Sequence, residues 1–398
     1  MKAELLPTPA ALAMKEITAR RTISTNDANT QTEWLEFLRK RDSGFPINEA
    51  VIEALPRGST LSSVEPFGFS AHSTTGKLCA KNGSKETLYF VKVAQGERGR
   101  VMLHGEFEAS KTVYNTMSDF IPKPIGFGKY CHDDHTENDD DRTCYFYISE
   151  FIDMDVATAP DPVEFTRKLA HLHKTSRSPT GKFGFHVPTC DGDKPQITDW
   201  QESWPVFFRS LFLGVYELDR KRNGPPISPD YERVVGQVAW KVIPRLLGSL
   251  RESTTGRPIR PCIIHGDMWE GNMGIINETG RTVLFDAGGY FAHNEMELGH
   301  WRCEFSSVFR HRVYVDEYKK HHPPAEPVAE FEDRLRLYCL KGTLNYSSGR
   351  VNTRHRRTAY NHMLYLCEKY APLEGVGGMY DPSVDPWITG FSVMPHSD

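Results

Sequence analysis

The sequence predicts an α+β fold with two lobes: a small antiparallel β-sheet with one helix, and a larger, mainly helical lobe. Three observations predict it. Short β-rich runs separated by turns fill residues 59–152, with one helical stretch among them. Beyond residue 152, apolar residues recur at helical spacing, and β character returns once, in a hairpin near residue 280. The length of 398 residues accommodates two such lobes, since a domain takes roughly 150 residues.

The amino-terminal part is expected to hold a tail, leading helices and the smaller lobe. Residues 1–32 are polar and without periodicity, which predicts a tail. Residues 33–152 are expected to begin with one or two helices, because apolar residues recur at helical spacing around Trp34–Leu38 and Val51–Leu55. The remainder should supply two or three strands, a helix and two more strands. The clearest of these are the strands Leu61–Phe69, Thr87–Val93 and Cys144–Ile152 and the helix Gly105–Met117.

The larger, helical lobe is expected to cover residues 153–398. Asp161 and Pro162 followed by Glu164 form a capping box with proline at the first helical position, so a helix is predicted to begin there. Asn277–Gly280 lies between two β-type runs and predicts the turn of the hairpin. Further helices are predicted at Val328–Asn345 and Arg356–Lys369.

The composition argues against several classes of function. Lys and Arg number 48 against 52 Asp and Glu, a net charge of −4, which argues against a nucleic-acid-binding surface. No run approaches the ~20 apolar residues of a membrane-spanning helix. The eight cysteines include no CxxC pair, which indicates reduced thiols, and we expect a cytoplasmic protein. The sequence gives no indication of oligomeric state.

One low-complexity segment, residues 131–142, combines Cys131, His132 and His135 with a run of acidic residues. Such residue types can bind metal ions. Runs of like charge, however, repel one another and stay solvated. We therefore interpret this segment as an exposed acidic loop between two strands and place no site in it.

The region around the predicted hairpin has the strongest chemical pattern. Asp267 follows His265 by two residues, Asn272 follows Asp267 by five, and Asp286 stands at the end of the hairpin. Kinases use this order: one aspartate accepts the proton of the attacking hydroxyl, and an asparagine and a second aspartate bind Mg²⁺. The pattern predicts phosphoryl transfer from ATP. Gly266, where protein kinases have arginine, points to a small-molecule acceptor.

A kinase site of this type also needs a lysine in the smaller lobe that binds the phosphates, and a helix glutamate that positions it. Lys92 lies in a β-rich run and is the predicted lysine. Glu106 fits the expected spacing better than Glu108, but the sequence alone leaves both open. A solvated position near the start of the helix is expected for whichever glutamate does not point inward.

The nucleotide itself is expected between the lobes. Gly68 is predicted to lie in the loop that covers the phosphates, although this loop has one glycine where protein kinases have three. The base is expected at the junction of the lobes, paired with backbone groups of Glu150, Phe151 and Ile152.

At these residues the sequence resembles the fructosamine/ketosamine 3-kinase family, which has a protein-kinase-like fold and is related to aminoglycoside phosphotransferases and choline kinases. The resemblance covers about residues 59–345, where six motifs share the family's order and spacing. They are VKV at 91–93, GEFEA at 105–109, FGFHVPT at 183–189, DWQESWPVFF at 199–208, HGDMWEGN at 265–272 and FDAGGYFAHNEMEL at 285–298. The DWQESWPVFF segment separates this family from generic aminoglycoside kinases.

The resemblance implies an enzyme that uses ATP and Mg²⁺ to phosphorylate the third-carbon hydroxyl of a ketosamine. Its acceptor would be ribulosamine or fructosamine on a protein lysine or on a small amine, and phosphorylation would make the adduct decompose. By the same resemblance Asp267 is the general base, Asn272 and Asp286 hold the metal, and Lys92 binds phosphate. The alternatives are a kinase of aminoglycoside or choline type and, less favoured because these four residues are intact, a nucleotide-binding pseudokinase.

The resemblance also suggests substrate contacts. Trp200 and Trp204 are expected to help form the sugar pocket, with core packing as the alternative, and His265 is expected near the substrate. Glu270 stands where the family usually has serine, so an extra carboxylate is expected beside the metal and acceptor site, where it would attract a cationic amine or a second cation. The long leader and the acidic loop fit a eukaryotic, fungal member.

Overall fold

The computed structural model describes residues 45–131 except 46, residues 143–350 and residues 354–389. The predicted tail, the helix predicted around Trp34–Leu38 and the acidic segment 132–142 lie outside the described residues. Within the described ranges, no helix is both long and apolar enough to cross a membrane. The seven cysteines whose side chains are described there are free thiols.

The smaller lobe is built on a five-stranded antiparallel sheet, in the order β1-β2-β3-β5-β4. A short helix precedes it, and one long helix packs on it. The elements are α1 (Glu49–Glu53), β1 (Thr60–Pro66), β2 (Thr74–Asn82), β3 (Lys85–Gln95), α2 (Gly96–Thr116), β4 (Pro124–Cys131) and β5 (Thr143–Glu150). This confirms the predicted sheet with one helix.

Two of these strands have weak local signals and were not among the clear predictions. Strand β4 starts with Pro124 and contains two glycines, and its pairing is irregular between Pro124 and Gly126. It is stable as a strand because it lies at the sheet edge, where proline is tolerated. Strand β2 is rich in polar residues but is paired along both sides, so tertiary pairing outweighs its modest propensity.

Helix α2 begins at Gly96, nine residues before the predicted start at Gly105. The first turns contain two glycines and several charged residues, a composition that is more typical of a loop than of a helix. As a consequence, Glu106 and Glu108 lie in the middle of the helix. The prediction that both lie near its start is therefore wrong.

The larger lobe is mainly helical, as predicted. Its helices, apart from short 3₁₀ and π turns, are α3 (Pro162–Thr175), α4 (Trp204–Asn223), α5 (Tyr231–Gln237), α6 (Ile243–Leu247), α7 (Glu295–His300), α8 (Arg312–His321), α9 (Phe331–Gly349), α10 (Arg354–Tyr370) and α11 (Pro386–Thr389). Its short strands are β6 (Met154–Asp155), β7 (Cys190–Asp191), β8 (Lys194–Pro195), β9 (Cys262–Ile263), β10 (Met273–Ile276), β11 (Thr282–Leu284) and β12 (Phe291–Ala292). Nearly all of α9 is buried, so it forms the centre of the lobe.

The local signals of this lobe hold in part. The Asp161 carboxylate accepts hydrogen bonds from the Val163 N–H (3.0 Å) and the Glu164 N–H (2.8 Å), which confirms the predicted start of α3. The Glu164 side chain does not close the predicted capping box but accepts from the Thr282 hydroxyl at 3.0 Å. Strands β10 and β11 form the predicted hairpin, with Met273 opposite Leu284.

Candidate active site

The predicted catalytic loop begins at a two-stranded β-ribbon. Strand β9 leads into the loop, and β12, which follows the hairpin, pairs with β9. Gly266 has φ +82°, and a Cβ at this position would lie 2.5 Å from the Gly288 carbonyl oxygen. A larger residue at this position, such as the arginine of protein kinases, would be strained and would collide with the backbone.

Asp267 and Asn272 lie in direct contact. The Asn272 side-chain amide donates to the Asp267 backbone oxygen (2.8 Å) and to its carboxylate oxygen Oδ2 (3.0 Å). The Asp267 side chain is 17% exposed, so it is reachable from the cleft while most of it is fixed by the protein. This arrangement orients a carboxylate for a hydroxyl group that enters from solvent.

His300, which the sequence did not single out, lies behind this carboxylate. Its Nε2 is 3.4 Å from Asp267 Oδ1, and the imidazole is almost fully buried. Burial acts to raise the pKa of Asp267, but the interaction with His300 and its charge outweigh burial and lower that pKa below its ordinary value. Asp267 is therefore ionised at neutral pH, as a base requires.

Asp286 has a left-handed backbone, with φ 59°, which is uncommon for a residue other than glycine. Two hydrogen bonds attach its segment to the catalytic loop: the Phe285 N–H donates to the Asn272 carbonyl (3.0 Å), and His265 Nε2 lies 2.8 Å from the Phe285 carbonyl oxygen. His265 is fully buried. It fastens the two predicted metal-binding segments together, and its burial leaves no side-chain surface exposed for direct contact with a substrate.

Glu297 fixes the backbone of the catalytic loop. Its buried carboxylate accepts hydrogen bonds from the His265 N–H at 2.5 Å and the Gly266 N–H at 3.1 Å. Burial acts to raise its pKa, but the nearby His173 and His265 and the bound N–H groups lower it, so the carboxylate stays charged. The motif at 285–298 contained Glu297, but no local signal revealed this long-range role.

Lys92 connects the two lobes. Its Nζ lies 2.7 and 2.9 Å from the carboxylate oxygens of Glu106 and 2.5 Å from Asp286 Oδ1. Burial acts to lower the pKa of Lys92, but the charges of Asp286 and Glu106 outweigh burial and raise it, so the amine stays protonated. Glu108 instead lies 3.0 Å from His186 Nε2. The structure thus selects Glu106 as the partner of Lys92.

The loop between β1 and β2 has a feature suited to a ligand. Gly68 lies there with φ +73°. Thr75 stands opposite Lys92 in the β2–β3 ladder, and a Cβ on Gly68 would lie 3.8 Å from its hydroxyl. That hydroxyl is buried and has no hydrogen-bond partner among the described residues. Buried polar groups are normally paired, so the Thr75 hydroxyl is available to a bound group.

At the junction of the lobes, two of the three residues predicted to pair with the base use their backbone N–H groups within the protein. The Glu150 N–H donates to the Lys123 carbonyl (2.8 Å), and the Phe151 N–H donates to the Leu88 carbonyl (3.3 Å). These two backbone donors are engaged within the protein, which leaves the Ile152 N–H as the predicted donor to a base. The Phe151 ring packs edge-on against Phe67, at 5.0 Å between centroids, and so adds an apolar wall to the junction.

The two tryptophans have different environments. Trp204 is 2% exposed, and its indole N–H donates to the Tyr338 hydroxyl at 2.9 Å. It lies in the core, so the expectation that it contacts sugar is corrected in favour of packing. Trp200 is half-buried and stacks on Phe291 of β12, with 6.1 Å between ring centroids. Only Trp200 retains surface for a substrate.

Glu270 is not the free carboxylate that the sequence suggested. It is buried, and it accepts hydrogen bonds from the Ser307 N–H (2.6 Å) and from the Ser306 and Ser307 hydroxyls. These bonds hold the segment after α7 and engage both carboxylate oxygens. The expected attraction for a cationic amine is therefore corrected to a structural role.

Asn272 and Asp286 fit a magnesium ion by the chemistry of their donor atoms. The Asn272 amide nitrogen is occupied by Asp267, which leaves its carbonyl oxygen as a ligand. The Asp286 carboxylate is 38% exposed and lies next to Lys92. Oxygen ligands of this kind suit Mg²⁺ that is also bound by phosphate oxygens.

The chain matches a known protein family over most of its length. The model of the family described as fructosamine kinase matches residues 71–365. The chain is 32% identical over 260 residues to a chloroplastic protein-ribulosamine 3-kinase of Oryza sativa subsp. japonica. The aligned region covers 65% of this chain and 66%, just under two thirds, of that relative. It is 27% identical to a ketosamine-3-kinase of Mus musculus, covering 65% of this chain and 81% of that one.

A solved structure confirms the fold. A crystal structure assigned to a fructosamine-3-kinase of Thermobifida fusca superposes with a TM-score of 0.59 and covers 80% of this chain and 98% of that one. At 21% identity this match shows the two-lobed architecture alone.

Proposed function

The chain belongs to the fructosamine kinase family, and from this premise we propose that it phosphorylates the third-carbon hydroxyl of a ketosamine, such as ribulosamine or fructosamine on a lysine. ATP is the phosphoryl donor, and the phosphorylated adduct then decomposes and frees the amine. The observation that carries the proposal is the arrangement of two carboxylates. Asp267 is in contact with Asn272, and Asp286 forms an ion pair with Lys92 of the smaller lobe.

The nucleotide phosphates bind between the lobes. Lys92 is protonated and fixed by Glu106, so its charge faces the phosphates without further reorganisation. The Thr75 hydroxyl and the backbone near Gly68 complete the cradle. Asn272 and Asp286 would hold Mg²⁺, which would supply positive charge to offset the charge of the transferring group.

The acceptor hydroxyl is oriented by Asp267. Its ionised carboxylate accepts the hydroxyl proton as the oxygen attacks phosphorus, while Asn272 prevents the carboxylate from turning away. Positioning of this kind supplies most of the rate in phosphoryl transfer, because the reaction involves little covalent chemistry by the protein. Glu297 contributes indirectly by fixing the backbone on which Asp267 stands.

We also propose that the ketosamine can be attached to a protein. Trp200 is the predicted sugar contact that retains exposed surface in the described structure. A half-buried ring offers one face to a sugar and leaves the attached chain in solvent, as a protein-bound lysine requires.

The proposal is tested by release of ADP with a panel of acceptors: ribulose-lysine, fructose-lysine, choline and an aminoglycoside. Turnover with the ketosamines that requires Asp267 is the expected result, with Asp267→Asn as the inactive control. Turnover confined to choline or the aminoglycoside would contradict the proposed substrate. Nucleotide binding without turnover of any acceptor would favour a binding protein.

A further inference from the structure

Two cysteines outside the active site lie close enough to react with each other. Cys303 follows α7, and Cys339 lies in the middle of α9. Their Sγ atoms are 3.6 Å apart, and both side chains are buried. A disulfide bond has an S–S length of about 2.05 Å, so an approach of roughly 1.5 Å would join them.

The surroundings give the two thiols different chemistry. His362 of α10 lies beside Cys339, and its Nε2 is 3.3 Å from Asp385 Oδ1. The interaction with Cys303 lowers the pKa of Cys339 well below its usual value; burial opposes this shift, and His362 reinforces it. Burial, together with Cys339, raises the pKa of Cys303. Because His362 lies beside Cys339 and can take its proton, we assign Cys339 as the nucleophile of the pair and Cys303 as the thiol that resolves its oxidised form.

The pair is connected to the catalytic base through His300. Cys303 is three residues beyond His300, whose Nε2 is 3.4 Å from Asp267 Oδ1. Gly342 of α9 lies against both: a methyl group on its Cα would be 2.8 Å from Cys303 Sγ and 3.1 Å from His300 Nδ1. A movement of Cys303 toward α9 therefore displaces the segment that holds His300 against Asp267.

We propose that Cys303 and Cys339 form a modification site for peroxide, at which an intramolecular disulfide reversibly lowers the activity of the enzyme. The inference adds a means of control to the proposed function. The readout of activity rests on the proposed function, whereas the readout of disulfide formation does not.

The oxidation is balanced by hydrogen peroxide alone. The Cys339 thiolate sulfur donates an electron pair to one peroxide oxygen, the O–O bond breaks, and the departing hydroxide takes the proton of the His362 imidazolium to form water. The resulting sulfenic acid is attacked by Cys303, which forms the S–S bond and releases a second water. The two sulfurs lose two electrons in total, and peroxide gains them. A dithiol such as dithiothreitol restores both thiols.

The full-length protein is treated with hydrogen peroxide and analysed by non-reducing peptide mapping and by ATP turnover. We expect a Cys303–Cys339 disulfide, a loss of turnover of roughly 10- to 100-fold, which is the scale expected for a misplacement of about 1 Å, and recovery with dithiothreitol. Cys303→Ser should retain its basal turnover, form no disulfide and resist the reversible inhibition. Cys367→Ser, which removes another buried thiol, should behave as the wild type.

Each contrary result is informative. Failure of the disulfide to form under peroxide overturns the modification site, whatever the turnover shows. A disulfide without loss of turnover overturns the coupling to Asp267, as does equal inhibition of Cys303→Ser and wild type. Thermal unfolding of each variant verifies that it is folded. If no acceptor is ever turned over, peptide mapping still tests the thiol pair while the proposed function fails.

Discussion

Replacing Glu297 by glutamine tests whether this carboxylate holds the catalytic loop. Glu297 accepts two backbone N–H groups, from His265 at 2.5 Å and from Gly266 at 3.1 Å, in a fully buried position. Glutamine has nearly the same volume and keeps one acceptor oxygen. Its NH₂ group replaces the second oxygen and faces a backbone donor, so one of the two N–H groups loses its partner.

The cost follows from these contacts. A hydrogen bond to a charged acceptor contributes about 1.5–3 kcal/mol, and a buried N–H left without a partner costs about 1–3 kcal/mol. We therefore expect Glu297→Gln to lower the free energy of unfolding by roughly 3–5 kcal/mol. Because Asp267 stands on the loosened loop, kcat should also fall, by about 10- to 100-fold.

The assay is urea unfolding followed by fluorescence, together with ADP release by the folded variant. Glu217→Gln is the matched control: Glu217 pairs with Arg220 on the surface of α4, and its loss should change stability by no more than about 0.5 kcal/mol. If Glu297→Gln were as stable as this control and turned over ATP like the wild type, the loop would not depend on Glu297 and the reasoning would be refuted.

Four further predictions concern the site. Asp267→Asn should lower kcat by about 10²- to 10⁴-fold while calorimetry shows unchanged ATP affinity, whereas a fully active variant would exclude Asp267 as the base. Chelation of Mg²⁺ with EDTA should abolish turnover, and added Mg²⁺ should restore it; turnover that persists in EDTA would contradict a metal held by Asn272 and Asp286. Trp204→Phe should lower stability by about 1–3 kcal/mol, since the hydrogen bond to Tyr338 is lost, yet leave the KM for the acceptor unchanged; a raised KM would return Trp204 to the sugar pocket. Burial acts to lower the pKa of His300, but the interaction with Asp267 and the charges of Asp191 and Asp267 outweigh burial and raise it. The stabilisation by His300 should therefore be complete below its unfolded pKa of about 6.5 and be lost as pH rises through its higher folded pKa. The difference in unfolding free energy between wild type and His300→Asn should accordingly shrink with rising pH. A difference that stays constant with pH would refute the pairing of His300 with Asp267.

The fold class and the proximity of the central candidate site residues were predictable because local spacing encodes them. The intervals between Asp267, Asn272 and Asp286 follow from the length of one loop and one hairpin, and the structure brings their segments together. Asp161 marks the start of α3 by a bond to its own helix. Signals of this kind require no knowledge of distant parts of the chain.

The failures concern contacts between distant segments. The hydrogen bonds from Ser306 and Ser307 to Glu270 join residues that are more than thirty positions apart in the sequence. The same is true of the hydrogen bonds from the catalytic loop to Glu297. The predicted helix α2 was too short because the glycines in its first turns have low helix propensity. Packing on the sheet nevertheless stabilises these turns. Burial decided the role of Trp204, and a sequence interval does not reveal which of two tryptophans faces the core.

The central claim is that Asp267 directs phosphate to the third-carbon hydroxyl of a ketosamine. The most direct measurement is ³¹P and ¹H NMR of the product formed from ATP and ribulose-lysine, which identifies the carbon that bears the phosphate. We predict a phosphate on the third carbon, followed by release of free lysine, and neither product with Asp267→Asn. Phosphate on another carbon, or the same product from Asp267→Asn, would contradict the account.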